Sequence, residues 1–123
     1  MSKNVLIVDD EPAICSIVAR VLSNKGLQAQ TVPSGKAALA KLAENGYDLL
    51  IADIKMSGLG GRELYETLKQ KRSDMANRTV FITGDTMSEE TNDFLVSSGR
   101  PYLAKPFTPM ELIDIIDRTL AEK

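Results

Sequence analysis

Three acids and one lysine carry the chemistry this chain is equipped to do. The apolar run Leu49-Leu50-Ile51-Ala52 ends abruptly in Asp53, and Val5-Leu6-Ile7-Val8 ends in Asp9 and Asp10. A later run, Pro101-Tyr102-Leu103-Ala104, ends in Lys105. Apolar runs this short read as buried strands, and ligands of open α/β sheets bind in the crevice outside the carboxyl ends of the strands. Three carboxylates gathered there repel one another unless a cation or shifted pKa values relieve them. One divalent ion and Lys105 would balance the charge. Mg2+ suits such a site, since it takes oxygen ligands from one or two carboxylates, waters and substrate phosphate. A carboxylate can serve as a nucleophile, and phosphoryl transfer asks of a protein mainly alignment and charge neutralisation. The expected chemistry is therefore metal-assisted phosphoryl transfer onto Asp53. Taken singly, Asp10 and Glu11 fit as N-terminal helix acids and Asp53 as a strand-end cap. Their joint placement with Lys105, at the ends of strands one, three and five, argues for a site.

The elements that must position these residues follow from periodicity. Strands are expected at residues 4–8, 27–32, 47–52, 80–82 and 101–104. The first helix opens at Glu11-Pro12, with Pro favoured at the first helical position, carries Ile14, Ile17, Val18, Val21 and Leu22 at helical spacing, and stops at Lys25-Gly26. Ser34 caps the second helix, which carries Ala38, Leu39 and Leu42 and ends at Asn45-Gly46. Gly58, Gly60 and Gly61 predict a pliable loop after Asp53, ahead of a third helix with Leu64, Tyr65 and Leu68. Thr86 and Glu89 offer a capping box for the fourth helix, which bears Phe94 and Leu95 and ends at Ser98-Gly99. Pro101 opens an edge strand. Thr108-Pro109-Met110-Glu111 starts a fifth helix with the stripe Leu112, Ile113, Ile116 and Leu120. Five strands alternating with five helices predict a doubly wound parallel sheet with helices on both faces.

Composition narrows the function. The chain has 123 residues, 43% hydrophobic and 26% charged, which fits one ordinary globular domain. A net charge of -2, with Lys69-Gln70-Lys71-Arg72 as the one basic cluster, argues against direct nucleic-acid binding; that cluster fits a solvated helix end. No apolar run approaches the ~18 residues of a membrane span, so the expectation is a cytoplasmic protein with no membrane contact. The single Cys15 has no partner for a disulfide and reads as a small packed residue. Histidine is absent, which removes Ser-His and Cys-His catalysis, His-based zinc sites and any role as a phosphohistidine carrier.

These residues together resemble the receiver domains of two-component response regulators, and the resemblance spans essentially residues 1–123 as one domain. Val8-Asp9-Asp10-Glu11 looks like the family's acidic pair, and Asp53 with Met56 and Gly61 looks like its phosphoacceptor segment. Thr83-Gly84 looks like the switch hydroxyl and its small neighbour, Tyr102 like the switch aromatic three residues before the lysine, and Lys105-Pro106-Phe107 like the lysine-proline signature. The resemblance implies a flavodoxin-like fold of strand order 2-1-3-4-5. It implies Asp10, Asp53 and the backbone carbonyl of Lys55 as direct Mg2+ ligands, with Asp9 holding the ion through water. By the same resemblance Asp53 accepts a phosphoryl group from a histidine kinase or histidine phosphotransfer protein, and Lys105 pairs with it. Thr83 then swings toward a phosphoryl oxygen and Tyr102 turns inward, remodelling the face of helix 4, strand 5 and helix 5 that meets a downstream protein. The Lys105-Pro106 bond is expected to be cis, on the resemblance alone.

Blander roles stand beside these: Thr83 as a strand-end residue bonding local backbone, Tyr102 as a half-buried edge aromatic, Lys105 as a surface charge. Ser57 stands where the family usually has proline, and with the glycines around it predicts a mobile loop. Lys55 places a cation near the phosphoryl exit path and is expected to alter the dephosphorylation rate; equal rates in the native chain and Lys55→Ala would contradict that. The lead Ser98-Gly99-Arg100-Pro101 is similar to that of receivers fused to hybrid sensor histidine kinases, so a stand-alone regulator and a piece of such a kinase are both open. An enzyme or nucleotide-binding protein on the same fold is disfavoured, because Asp9-Asp10-Glu11-Pro12 is no Gly-rich phosphate cradle and Asp53-Ile54-Lys55 lacks a second acid. The remaining alternative is a receiver-like module that binds partners without accepting phosphate.

Overall fold

The apolar runs pair into one parallel sheet of order β2-β1-β3-β4-β5, from β1 (Asn4–Val8), β2 (Gln28–Val32), β3 (Leu49–Asp53), β4 (Thr79–Thr83) and β5 (Tyr102–Ala104). The computed structural model describes residues 3–56, 58–84 and 88–121. Every residue of β3 and β4 is buried, as strands covered by helices on both faces must be. The outer strand β2 keeps only Val32 fully buried. Register sets Val8 beside Ala52, Asp53 beside Ile82 and Thr83 beside Ala104. Asp9, Asp53, Thr83 and Lys105 therefore leave the sheet at nearly one level, along its carboxyl edge.

Side-chain alternation along each strand sorts the core into two layers. Val5, Ile7, Leu49, Ile51, Val80 and Ile82 face α1 (Pro12–Asn24) and α6 (Pro109–Ala121), which contribute Val18, Leu22, Leu112 and Ile116. Leu6, Leu50 and Phe81 face the other way, toward α2 (Gly35–Glu44), α3 (Gly61–Lys71) and α5 (Glu89–Ser98). On that side Tyr65, Phe81 and Phe94 meet edge to face at centroid distances of 5.2 to 5.9 Å, within the favoured range for aromatic pairs.

Six helices stand among the described residues where five were expected. The addition is α4 (Ser73–Ala76), one turn between α3 and β4 that buries Met75 and Ala76. Four residues are too few to show a helical period, so it was invisible to pattern reading. The remaining ends follow local chemistry. Gly26 and Gly99 take the left-handed conformation after α1 and α5, at φ of 86° and 67°. Thr108 and Glu111 form the reciprocal box at the start of α6, with bonds of 2.9 and 3.1 Å. At α5 the cap is Ser88, whose Oγ accepts from the Thr91 N–H at 3.3 Å. Thr86, expected in that role, lies outside the described residues, as does Ser57. No helix among the described residues is long and apolar enough to cross a membrane.

Candidate functional site

The site is built where β1, β3, β4 and β5 run out. Asp9 follows β1 and is 2% exposed; its Oδ1 accepts the Glu11 N–H at 2.9 Å, which bends the chain into α1. Pro12 at the first helical position sets Glu11 as the cap residue, with extended backbone and no side-chain capping bond. The Glu11 carboxylate is thereby left to face the site. Asp53 ends β3 and is 4% exposed, and its carboxylate accepts the Lys55 backbone N–H. Burial, and after it the charge of Asp9, raises the Asp53 carboxyl to about 6, against the opposing pull of Lys105.

Lys105 enters from β5, its backbone N–H bonded to the Thr83 carbonyl at 2.8 Å and its bond to Pro106 cis. Its Nζ lies 2.9 Å from Glu11 Oε1, 3.1 Å from Asp53 Oδ2 and 3.2 Å from Asp9 Oδ2. Burial alone would lower this ammonium's pKa. The hydrogen bond to Glu11 and the charge of Asp53 outweigh it and hold the group above the ordinary lysine range.

Asp9, Asp10, Glu11 and Asp53 each offer an oxygen, all within 4.8 Å of one another. A donor set made only of carboxylates suits a hard dication such as Mg2+ and poorly suits the softer metals. Asp9 Oδ2 supplies a second sign of fit. It is buried and accepts no hydrogen bond, Lys105 sitting at ion-pair distance without bonding geometry. A bound cation would satisfy such an atom.

Of the residues singled out from sequence, Asp9, Asp10, Asp53 and Lys105 come together as expected in space. Thr83 is buried at the tip of β4, and beyond it, among the described residues, a Cβ on Gly84 would meet the Lys105 stem, at 3.8 Å. Tyr102 is 47% exposed on the edge strand β5. Glu11 is the member that sequence reasoning passed over, as an ordinary helix acid. Pro12 held the signal, because it fixes its predecessor as a cap.

The glycines after β3 also need correcting. A Cβ on Gly61 would stand 2.4 Å from the Asp53 carbonyl oxygen, and one on Gly60 would stand 2.7 Å from that of Ile54. Both are places of close backbone approach rather than of pliability. The Gly61 N–H bonds the Ile54 carbonyl at 3.0 Å, and Gly35 of α2 bonds Leu59 at 3.2 Å, so the segment is stitched to its surroundings. Gly58, at φ 76°, is the one of the three that needs a left-handed backbone.

A doubly wound sheet with an acid cluster and a lysine at its carboxyl edge defines a class, the receiver domains of signalling proteins. Residues 5–117 match the family model described as response regulator receiver domain, and the chain belongs to that family. It is 37% identical over 109 residues to the heme response regulator HssR of Staphylococcus aureus, covering 88% of this chain and 47% of that protein. The chain thus spans about half the length of the curated relatives it matches. It is similar to a CheY-like receiver domain protein of Methanospirillum hungatei, at 30% identity and TM-score 0.88, covering 98% of this chain and 94% of the other. The response regulator TrrA of Thermotoga maritima, solved in complex with Mg(2+)-BeF, is 29% identical at TM-score 0.84, covering 95% and 98%.

Proposed function

We propose that this receiver domain is a phosphoacceptor, taking a phosphoryl group from the phosphohistidine of a histidine kinase or histidine phosphotransfer protein onto Asp53. The carrying observation is the placement of Asp53, buried at the tip of β3, with Lys105 Nζ 3.1 Å from its Oδ2 and three further acids beside it. An Asp53 oxygen attacks phosphorus as the P–N bond breaks, and the departing imidazole keeps the electron pair. Lys105 neutralises charge on the transferred group.

Asp10, Asp53 and the Lys55 carbonyl would hold Mg2+ directly, with Asp9 acting through water. The ion would supply neutralisation of the phosphoryl oxygens and of the crowded acids. Asp53 itself must be ionised to attack, and removal of its proton is eased by both cations. Thr83 and Tyr102 transmit the change: Thr83 bonds a phosphoryl oxygen, and Tyr102, exposed in this structure, turns inward to follow it. The face of α5, β5 and α6 is then the surface read by a downstream protein. The chain acts as a switch rather than as an enzyme on a separate substrate, although it promotes its own phosphorylation and hydrolysis. A cytoplasmic setting goes with this reading, because phosphohistidine donors are charged there.

The test is transfer from a phosphorylated histidine phosphotransfer protein. Loss of label from the donor and its appearance on this chain, in the native protein and not in Asp53→Asn, is the expected result. Label that stays on every donor tried, while acetyl phosphate also fails, would favour a module that binds partners without phosphate.

A further inference from the structure

We propose that Glu11 is a positioning residue, which holds Lys105 until a phosphoryl group takes its place. The inference rests on the phosphoacceptor reading of Asp53. Lys105 Nζ has three carboxylates around it, at 2.9 Å (Glu11), 3.1 Å (Asp53) and 3.2 Å (Asp9). An ammonium has three donors. Two are spent on Glu11 and Asp53, and Asp9 stands at ion-pair distance beside them, so three negative groups crowd the ammonium and an incoming phosphoryl oxygen, itself an anion, displaces one of them.

The three are not equally able to yield. Asp9 and Asp53 have short side chains fixed at strand tips, 1% and 5% exposed. Glu11 has a longer side chain, 58% exposed, at a cap position where it makes no capping bond. Exposed ion pairs are weak because water replaces either partner readily. Glu11 is thus the partner that leaves, and its contact is also the shortest of the three. The Asp53 Oδ–P bond forms as the bond from phosphorus to the donor's leaving group breaks, the leaving group keeping the electron pair. Lys105 moves from Glu11 Oε1 to a phosphoryl oxygen, and Glu11 turns to solvent. Until then Glu11 competes for the ammonium that the reaction needs.

Removing the competitor should speed modification. With acetyl phosphate and Mg2+, acetate being the leaving group, Glu11→Gln should raise the rate constant about threefold to tenfold, the scale of one charge a few ångströms away at an aqueous mouth. Glu11→Asp separates position from charge, since it keeps the carboxylate and withdraws it from Lys105 by one methylene. If Glu11 acts through Lys105, Glu11→Asp recovers at least half of that gain. A smaller gain in Glu11→Asp would reduce the effect to simple repulsion of the donor and overturn the proposal. An unchanged or slower rate in Glu11→Gln would overturn it too, as would an Mg2+ dissociation constant, measured by calorimetry, weakened more than about threefold, which would make Glu11 a metal ligand. A native chain that takes up phosphate while the variants match it refutes the role of Glu11 alone. A native chain that takes up none refutes the phosphoacceptor reading with it.

Discussion

Asp53 is where burial and charge oppose each other most directly. Its carboxyl titrates near 6 when folded, because burial and Asp9 both disfavour the anion. The folded state thus binds this proton more tightly than the unfolded chain does. The stability that follows is fully present below the ordinary carboxyl pKa near 4 and is lost as pH rises through about 6. In metal-free buffer, Asp53→Asn should be more stable than the native chain at pH 7 by about 2 kcal/mol, and the two should converge near pH 4. Urea titrations across that window check both the sign and the convergence. Mg2+ should narrow the gap at pH 7 by stabilising the native chain alone. Asp9, Asp53 and Lys105 were legible because each ends an apolar run, and a strand delivers its last side chain to a known edge. Glu11 was not, because its pairing with Lys105, 94 residues away, is a product of the assembled sheet.

At the scale of elements, the glycines beside the site make opposite demands. Gly61→Ala would drive a methyl group against the Asp53 carbonyl oxygen at 2.4 Å and the Ile54 Cα at 2.9 Å, and these are backbone atoms with little room to shift. A loss of about 2 kcal/mol or more is expected, together with slower phosphorylation, as overpacking costs this much or more in other cores. Gly84→Ala meets, among the described residues, the flexible Lys105 stem at 3.8 Å and should change stability by less than about 0.5 kcal/mol. Thermal melts of the pair distinguish the two positions. Thr108→Ala removes the cap of α6 and should cost about 1 kcal/mol in the same assay. The capping boxes and helix stops were readable because their chemistry is local. Gly60 and Gly61 read as freedom and proved to be close approach, since sequence shows what a glycine permits and only the packed neighbours show why it is needed. The turn at Ser73–Ala76 stayed hidden for want of length.

At the scale of the whole molecule, the two core layers meet through a sheet only one residue thick, so damage on one face should reach the site on the edge. Phe81 is fully buried on β4, in contact with Tyr65 of α3 and Phe94 of α5, and lies opposite Ala52 and Tyr102 in register. Phe81→Ala should cost about 3–5 kcal/mol, a large part of the roughly 5–15 kcal/mol that holds a typical domain together, and should lower the denaturant midpoint without splitting the transition. The parallel sheet with helices on both faces was readable because strict alternation of strands and helices admits few topologies, whereas the order 2-1-3-4-5 came from the resemblance to receiver domains. Tyr102, 47% exposed, has the half-buried setting that its place on an edge strand offered in the sequence.

The central claim is that Asp53 is the phosphoacceptor, and intact-mass measurement after incubation with acetyl phosphate tests it most directly. The native chain with Mg2+ should gain the mass of one phosphoryl group, and neither Asp53→Asn nor the native chain stripped of metal should gain it. An adduct that survives in Asp53→Asn, or no adduct on a folded native chain sampled within seconds of mixing, would contradict the account.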